Sequence, residues 1–123
     1  MHQSAAMERR EHYRYLIALE IEVREAGSNF SSRGTTTDIS LGGCYIATIF
    51  PLAVGSGISF TLWMGEQPIK GHGTVQTCHP GVGMGVKFTD LSEEIKSVLD
   101  DYLHTAASLP VGSALGARLI SYR

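Results

Sequence analysis

The sequence predicts a mainly β fold, a small six-stranded antiparallel β-barrel followed by one C-terminal α-helix. Three observations predict it. Six short stretches read as strands, with apolar residues recurring at a period of two most plainly over 17–23 and 58–62. Glycine, proline and small polar residues separate those stretches, with 14 glycines in 123 residues. The period changes to three and four only after Ser92. Six adjacent strands with tight turns and one helix fit a closed barrel, which removes the exposed edges of a lone sheet, and the helix is expected to plug one open end.

The first strand is read from Leu16, with Ile17, Leu19, Ile21 and Val23 facing one way and Ala18, Glu20, Glu22 and Arg24 the other. Residues 26–34 are polar except for Phe30 and read as a loop. Thr35, Thr36 and Thr37 are β-branched and start a second strand that ends at Ile39 or Ser40. Gly42-Gly43 interrupts it, and Cys44 to Ile49 resumes as a third strand. Pro51, Gly55 and Gly57 mark the next turn. Ile58, Phe60 and Leu62 then alternate with Ser59, Thr61 and Trp63 in a fourth strand, where Trp63 is expected to serve packing. A connection at Gly65–Pro68 leads to a fifth strand from Ile69 to Cys78, and His79-Pro80-Gly81 leads to a sixth over Gly83–Phe88.

Ser92 is a suitable N-cap, and Glu93 and Glu94 suit the positive end of a helix dipole. Ile95, Val98, Leu99, Tyr102 and Leu103 form an apolar stripe on a helix through Thr105. The tail beyond Pro110 is apolar, with Val111, Leu115, Leu119, Ile120 and Tyr122, and is expected to dock on the barrel or on a second subunit. The chain therefore divides into an N-terminal arm (1–14), a barrel with its closing helix (15–105) and an apolar tail (106–123).

A length of 123 residues suits a single core, and 43% hydrophobic with 18% charged residues excludes a disordered chain. The net charge of −2 argues against a general polyanion binder, so no nucleic acid polymer is expected as partner. No apolar run approaches the roughly 18 residues that span a bilayer, and residues 1–7 do not read as a signal peptide, so no membrane insertion and a cytoplasmic location are expected. Cys44 and Cys78 read as two buried thiols. Cys78-His79 are neighbours that point to opposite faces of a strand, and neither Cys-x-x-Cys nor His-x-x-x-His occurs, so neither thiol catalysis nor a metal site is expected.

Two stretches carry chemistry. Glu8-Arg9-Arg10-Glu11-His12-Tyr13-Arg14 concentrates guanidinium groups, whose planar forks pair with phosphates and with the O6 and N7 acceptors of guanine. Asp38-Ile39-Ser40-Leu41-Gly42-Gly43 places a carboxylate and a hydroxyl two residues apart at a strand end, which points both to one face. Asp38 is able to accept from the ring N–H and exocyclic amine of guanine, and Ser40 to meet a phosphate or ribose. The two glycines allow a turn and close approach of a ligand. Read singly, each stretch also fits a plainer role, the arginines as a solvated arm and the second as a side-chain-capped turn.

Arg10-x-x-x-Arg14 followed by Asp38-x-Ser40-x-x-Gly43 resembles the two-part signature of PilZ domains, bacterial receptors for cyclic di-GMP. Gly57, Gly73-Thr74-Val75, Gly85-Val86-Lys87-Phe88 and the closing helix also resemble that family's layout, over residues 8 to 105. The resemblance implies a six-stranded antiparallel barrel without catalytic activity or cofactor. Cyclic di-GMP would be clamped between the arm and the barrel surface, by Arg10 and Arg14 at guanine edges and phosphates, often of a stacked ligand pair. Asp38 and Ser40 would hold a guanine and its neighbouring phosphate, Gly43 would keep the surface open, and Arg9 would add a phosphate contact. The arm would order on binding. With no output domain in the sequence, the signal would pass through a protein partner or self-association. The alternative is a PilZ-like interaction module without ligand, in pilus or flagellar control; a barrel for single-stranded nucleic acid is more remote, because it calls for exposed aromatics in a basic groove.

Overall fold

The structure, a computed structural model, describes residues 13–107 and the backbone of residues 118–121. Residues 1–12 of the arm, with Arg9 and Arg10, and residues 108–117 and 122–123 of the tail lie outside the described residues. The described residues form eight strands and one helix, in order: β1 (Arg14–Leu16), β2 (Glu20–Glu25), β3 (Ser31–Ile39), β4 (Gly43–Ala47), β5 (Gly57–Met64), β6 (Gln67–His79), β7 (Gly83–Asp90), α1 (Glu93–Ala107) and β8 (Arg118–Ser121). The sheet runs β2-β5-β6-β7-β4-β3-β1-β8, and a further β2–β3 pairing closes six strands into the expected antiparallel barrel.

The first predicted strand is two elements. β2 pairs with the first half of β3, Glu20 opposite Thr35 and Arg24 opposite Ser31, whereas β1 pairs with its end, Tyr15 opposite Ile39 and Leu16 opposite Asp38. Thr36 bridges the break between them. Its hydroxyl accepts from the Leu19 amide at 2.9 Å and donates to the Ile17 carbonyl at 2.9 Å, and its own amide donates to the Leu19 carbonyl. The alternation survives the break, because Ile17, Leu19, Ile21 and Val23 are all buried. On its free side β1 carries β8, Leu16 opposite Arg118, so part of the tail docks on the barrel as a strand beside the arginine motif.

Residues 31–34, read as loop, belong to β3. None of the four is buried, so both faces of the strand are open there and no apolar alternation distinguishes it from a loop. Gly34 is needed there, because a Cβ would lie 2.7 Å from the Ile46 side chain. The β5–β6 connection is correspondingly tighter than expected, since Gln67 and Pro68 already pair in β6 and Gly65 turns the chain at φ 64°.

Inside the barrel Ile21, Ile39, Ile46, Ile58, Phe60, Leu62 and Val75 form the core, and Phe60 meets Phe88 with centroids 5.0 Å apart. The Ser92 hydroxyl accepts from the Ile95 amide and caps α1, which runs two residues further than expected. Leu99, Leu103 and Ala106 enter the same core, while Ile95, Val98 and Tyr102 are only partly buried against it. No described helix is long and apolar enough to cross a membrane.

Candidate ligand-binding site

Strand alternation alone would turn Asp38 inward with Thr36. A bulge prevents this: Thr36 opposes Ile46 and Asp38 opposes Tyr45, which leaves Thr37 as the extra residue. Thr36 and Ile39 therefore both face the core, and Asp38 is carried to the outer wall. There it meets Arg14. The Arg14 guanidinium donates from Nη2 to Asp38 Oδ1, and the Thr37 hydroxyl donates to Asp38 Oδ2 at 3.3 Å. The Arg14 and Asp38 side chains retain 34% and 17% of their exposure, so both stay within reach of a ligand. Arg14, read as the last residue of a polar arm, is instead the first residue of a strand.

Ser40 and Asp38 do not share a face. Ser40 is buried at the entry of the β3–β4 turn, where its hydroxyl accepts from the amides of Gly42 (3.1 Å) and Gly43 (3.2 Å). The Ser40 amide donates to the Gly43 carbonyl at 2.8 Å, and the Gly42 carbonyl receives the Phe88 amide at 2.8 Å. The hydroxyl is thus spent on shaping the turn. Gly43 is fixed by packing as much as by access, because a Cβ would lie 2.2 Å from the Val86 carbonyl oxygen of β7.

Beyond Asp38 the outer wall continues in register: Leu16, Asp38, Tyr45, Gly85 and Thr77 form one row across five strands. The Tyr45 hydroxyl bonds to Nδ1 of His79 at 2.9 Å, and its ring lies over Gly83, where a Cβ would meet ring carbons at 2.6 and 3.0 Å. Lys87, exposed, sits opposite Gly43. Sequence reasoning missed Tyr45 and Lys87; the periodicity of β4 and β7 places them on the outer face, but only the register brings them beside Asp38. Trp63 is half-buried on β5, opposite Pro68, and β5 pairs with neither β1 nor β3.

Behind the turn lies a recess of about 160 Å³ bordered by Gly42, Lys87 and Lys96. Larger recesses of about 700 and 470 Å³ lie elsewhere, the first by Phe30 and Phe50 and the second on the outer faces of β2, β5 and β6. The signature thus marks an open wall. Among the described residues no group of three His, Cys, Asp or Glu is arranged to hold a metal ion. Cys44 is buried and Cys78 is half-exposed, against the expectation of two buried thiols.

The family model for the PilZ domain matches residues 8–105, which include both halves of the signature and the whole barrel. The chain belongs to the PilZ family. Solved structures similar to this PilZ domain include the Bacillus subtilis inhibitor of motility MotI (DgrA), with a TM-score of 0.68 and 16% identity over 79% of this chain and 50% of that one. The PilZ domain of CeSA from a cellulose-synthesizing bacterium matches with a TM-score of 0.62 and 16% identity over 76% of this chain and 96% of that one. PlzA of Borreliella burgdorferi, solved in complex with c-di-GMP, matches with a TM-score of 0.59 and 15% identity over 80% of this chain and 42% of that one. The PilZ domain thus spans half of MotI and less than half of PlzA. A comparison with curated proteins finds no match.

Proposed function

We propose that this PilZ domain is a cytoplasmic, non-catalytic receptor for cyclic di-GMP, which it holds between its arginine segment and the outer wall at Asp38. The observation that carries the reading is the Arg14–Asp38 ion pair, which joins the two halves of the signature across 24 residues of sequence. The two groups offer what a guanine nucleotide needs. A guanidinium fork pairs with phosphate or with guanine O6 and N7, and a carboxylate accepts from the guanine N–H groups. Without ligand each group satisfies the other, so neither is left desolvated and unpaired. Arg9 and Arg10 add cations from the arm. Ser40 and Gly43 act through the turn they shape, which sets the position of Asp38 and leaves the surface beside it without a side chain. The c-di-GMP complex of PlzA, a protein of the same fold, supports the ligand class. Output passes to a protein partner or a second copy.

Calorimetric titration with cyclic di-GMP tests this. Binding with a dissociation constant of roughly micromolar order is expected, weakened at least about tenfold in Arg14→Ala and in Asp38→Ala, since hydrogen bonds to charged groups contribute about 1.5–3 kcal/mol each. No heat of binding from the unmodified protein at tens of micromolar ligand, roughly 6–7 kcal/mol of affinity, would leave a PilZ-like interaction module in its place.

A further inference from the structure

We propose that the ligand wall extends past Asp38 onto β4 and β7, where Tyr45 supplies a stacking face for a guanine and Lys87 a contact for a phosphate. The inference rests on the cyclic di-GMP reading above. Cyclic di-GMP contains two guanines and two phosphates, whereas Asp38 and Arg14 together serve one of each. Those two groups also neutralise one another, so the described part of the signature brings no net positive charge to a dianionic ligand.

Both missing elements lie on the adjoining strands. Tyr45 is directly opposite Asp38. Its ring is held before any ligand arrives, one face against Gly83 and the hydroxyl tethered to His79, so stacking costs little further side-chain entropy. Bases of any kind stack on such a ring. Lys87 lies opposite Gly43, exposed and without an ion pair among the described residues. It borders the recess behind the turn, whose 160 Å³ is about five waters' worth of space. That volume admits a phosphate. From β3 to β7 is two strand spacings, about 10 Å, comparable to the breadth of a cyclic dinucleotide. Gly43 and Gly85 leave the wall between these groups without side chains.

Titration of the unmodified protein, Lys87→Gln, Tyr45→Leu, Tyr45→Phe and Arg14→Ala with cyclic di-GMP, at two salt concentrations, tests the proposal. Lys87→Gln is expected to bind roughly tenfold more weakly and with a shallower salt dependence. Tyr45→Leu is expected to lose about tenfold, and Tyr45→Phe, which keeps the ring, to stay close to the unmodified protein. Circular dichroism and thermal midpoints check folding, and Lys87 is exposed, so its variant remains informative if Tyr45→Leu is destabilised. Affinity like that of the unmodified protein in Lys87→Gln or in a folded Tyr45→Leu, with binding lost in Arg14→Ala, overturns the extension and leaves the receptor reading intact. Absence of binding by the unmodified protein overturns both.

Discussion

Cys44 packs on the inner face of β4, with its backbone paired to Ile39, and burial pushes its thiol up to about 12. The Asp38 carboxylate adds to that rise and the Arg14 guanidinium opposes it, so this core thiol senses the ion pair at the candidate site. The folded chain keeps its proton up to about 12, while the unfolded chain sheds it from the ordinary value of 9.0. Stability is therefore fully present below about pH 9 and falls as pH rises toward the folded value, by about 2 kcal/mol over the first two units. Urea midpoints measured from neutral pH to about pH 11 are expected to decline, and Cys44→Ala to decline less steeply. Some slope is expected to remain, because burial and then the Asp100 charge also raise Tyr15. An equal decline in both proteins would show that Cys44 does not contribute. The burial of Cys44 was legible in the sequence, because a free thiol packs like a small hydrophobe. The half-exposure of Cys78 was not: a bulge after Val75 turns it inward opposite Met84, but one residue from the end of β6, where the core gives way to loop. Tyr45 and Lys87 were illegible as site residues for another reason: their proximity to Asp38 is a cross-strand relation.

At the scale of elements, the alternating runs predicted which residues enter the core, and the change of period predicted α1 with its Ser92 cap. The division of the first strand into β1 and β2 escaped that reading. Ile17-Ala18-Leu19 contains no glycine or proline, and the break is made by Thr36 on another strand. Thr36 is almost wholly buried, and its hydroxyl serves both the Leu19 amide and the Ile17 carbonyl. Thr36→Val keeps the shape and removes both partners, so a loss of about 1–3 kcal/mol is expected for each of the two buried groups left unsatisfied. The same change loosens the joint that sets β1, and with it Arg14, beside Asp38. Cyclic di-GMP affinity is therefore expected to fall in Thr36→Val even where the protein is fully folded, and to recover in Thr36→Ser, which restores the hydroxyl. Undiminished affinity in folded Thr36→Val would mean that β3 pairing alone positions Arg14.

Taken as a whole, the barrel separates its chemistry between two ends. The Asp38–Gly43 signature and the start of α1 lie at one end. The loops at the other, after β2, β4 and β6, expose Phe30, Ile49, Phe50, Val54 and Val82, which are 61–85% accessible. The barrel closes through pairings between residues distant in sequence, and the candidate site itself joins Arg14 of β1 to Asp38 at the end of β3. A ligand at that site therefore engages segments that separate only when β1, β3 and their neighbours come apart, and its binding energy adds to the stability of the entire barrel. Linkage gives about 2.7 kcal/mol at a ligand concentration one hundred times the dissociation constant. For a domain of this size that amounts to a rise in thermal midpoint of roughly 10 °C. The rise is expected to grow with the logarithm of ligand concentration and to appear as one shifted transition by both far-UV circular dichroism and Trp63 fluorescence. Trp63 lies on β5, which pairs with neither β1 nor β3, so its response distinguishes stabilisation of the whole barrel from ordering of the arginine segment alone. A shift seen by one probe only would show that the ligand engages a part of the molecule that unfolds independently of the barrel. Arg14→Ala is expected to retain the unliganded midpoint within a few degrees, because a partly exposed ion pair contributes about 1 kcal/mol or less, and to lose the ligand-dependent rise.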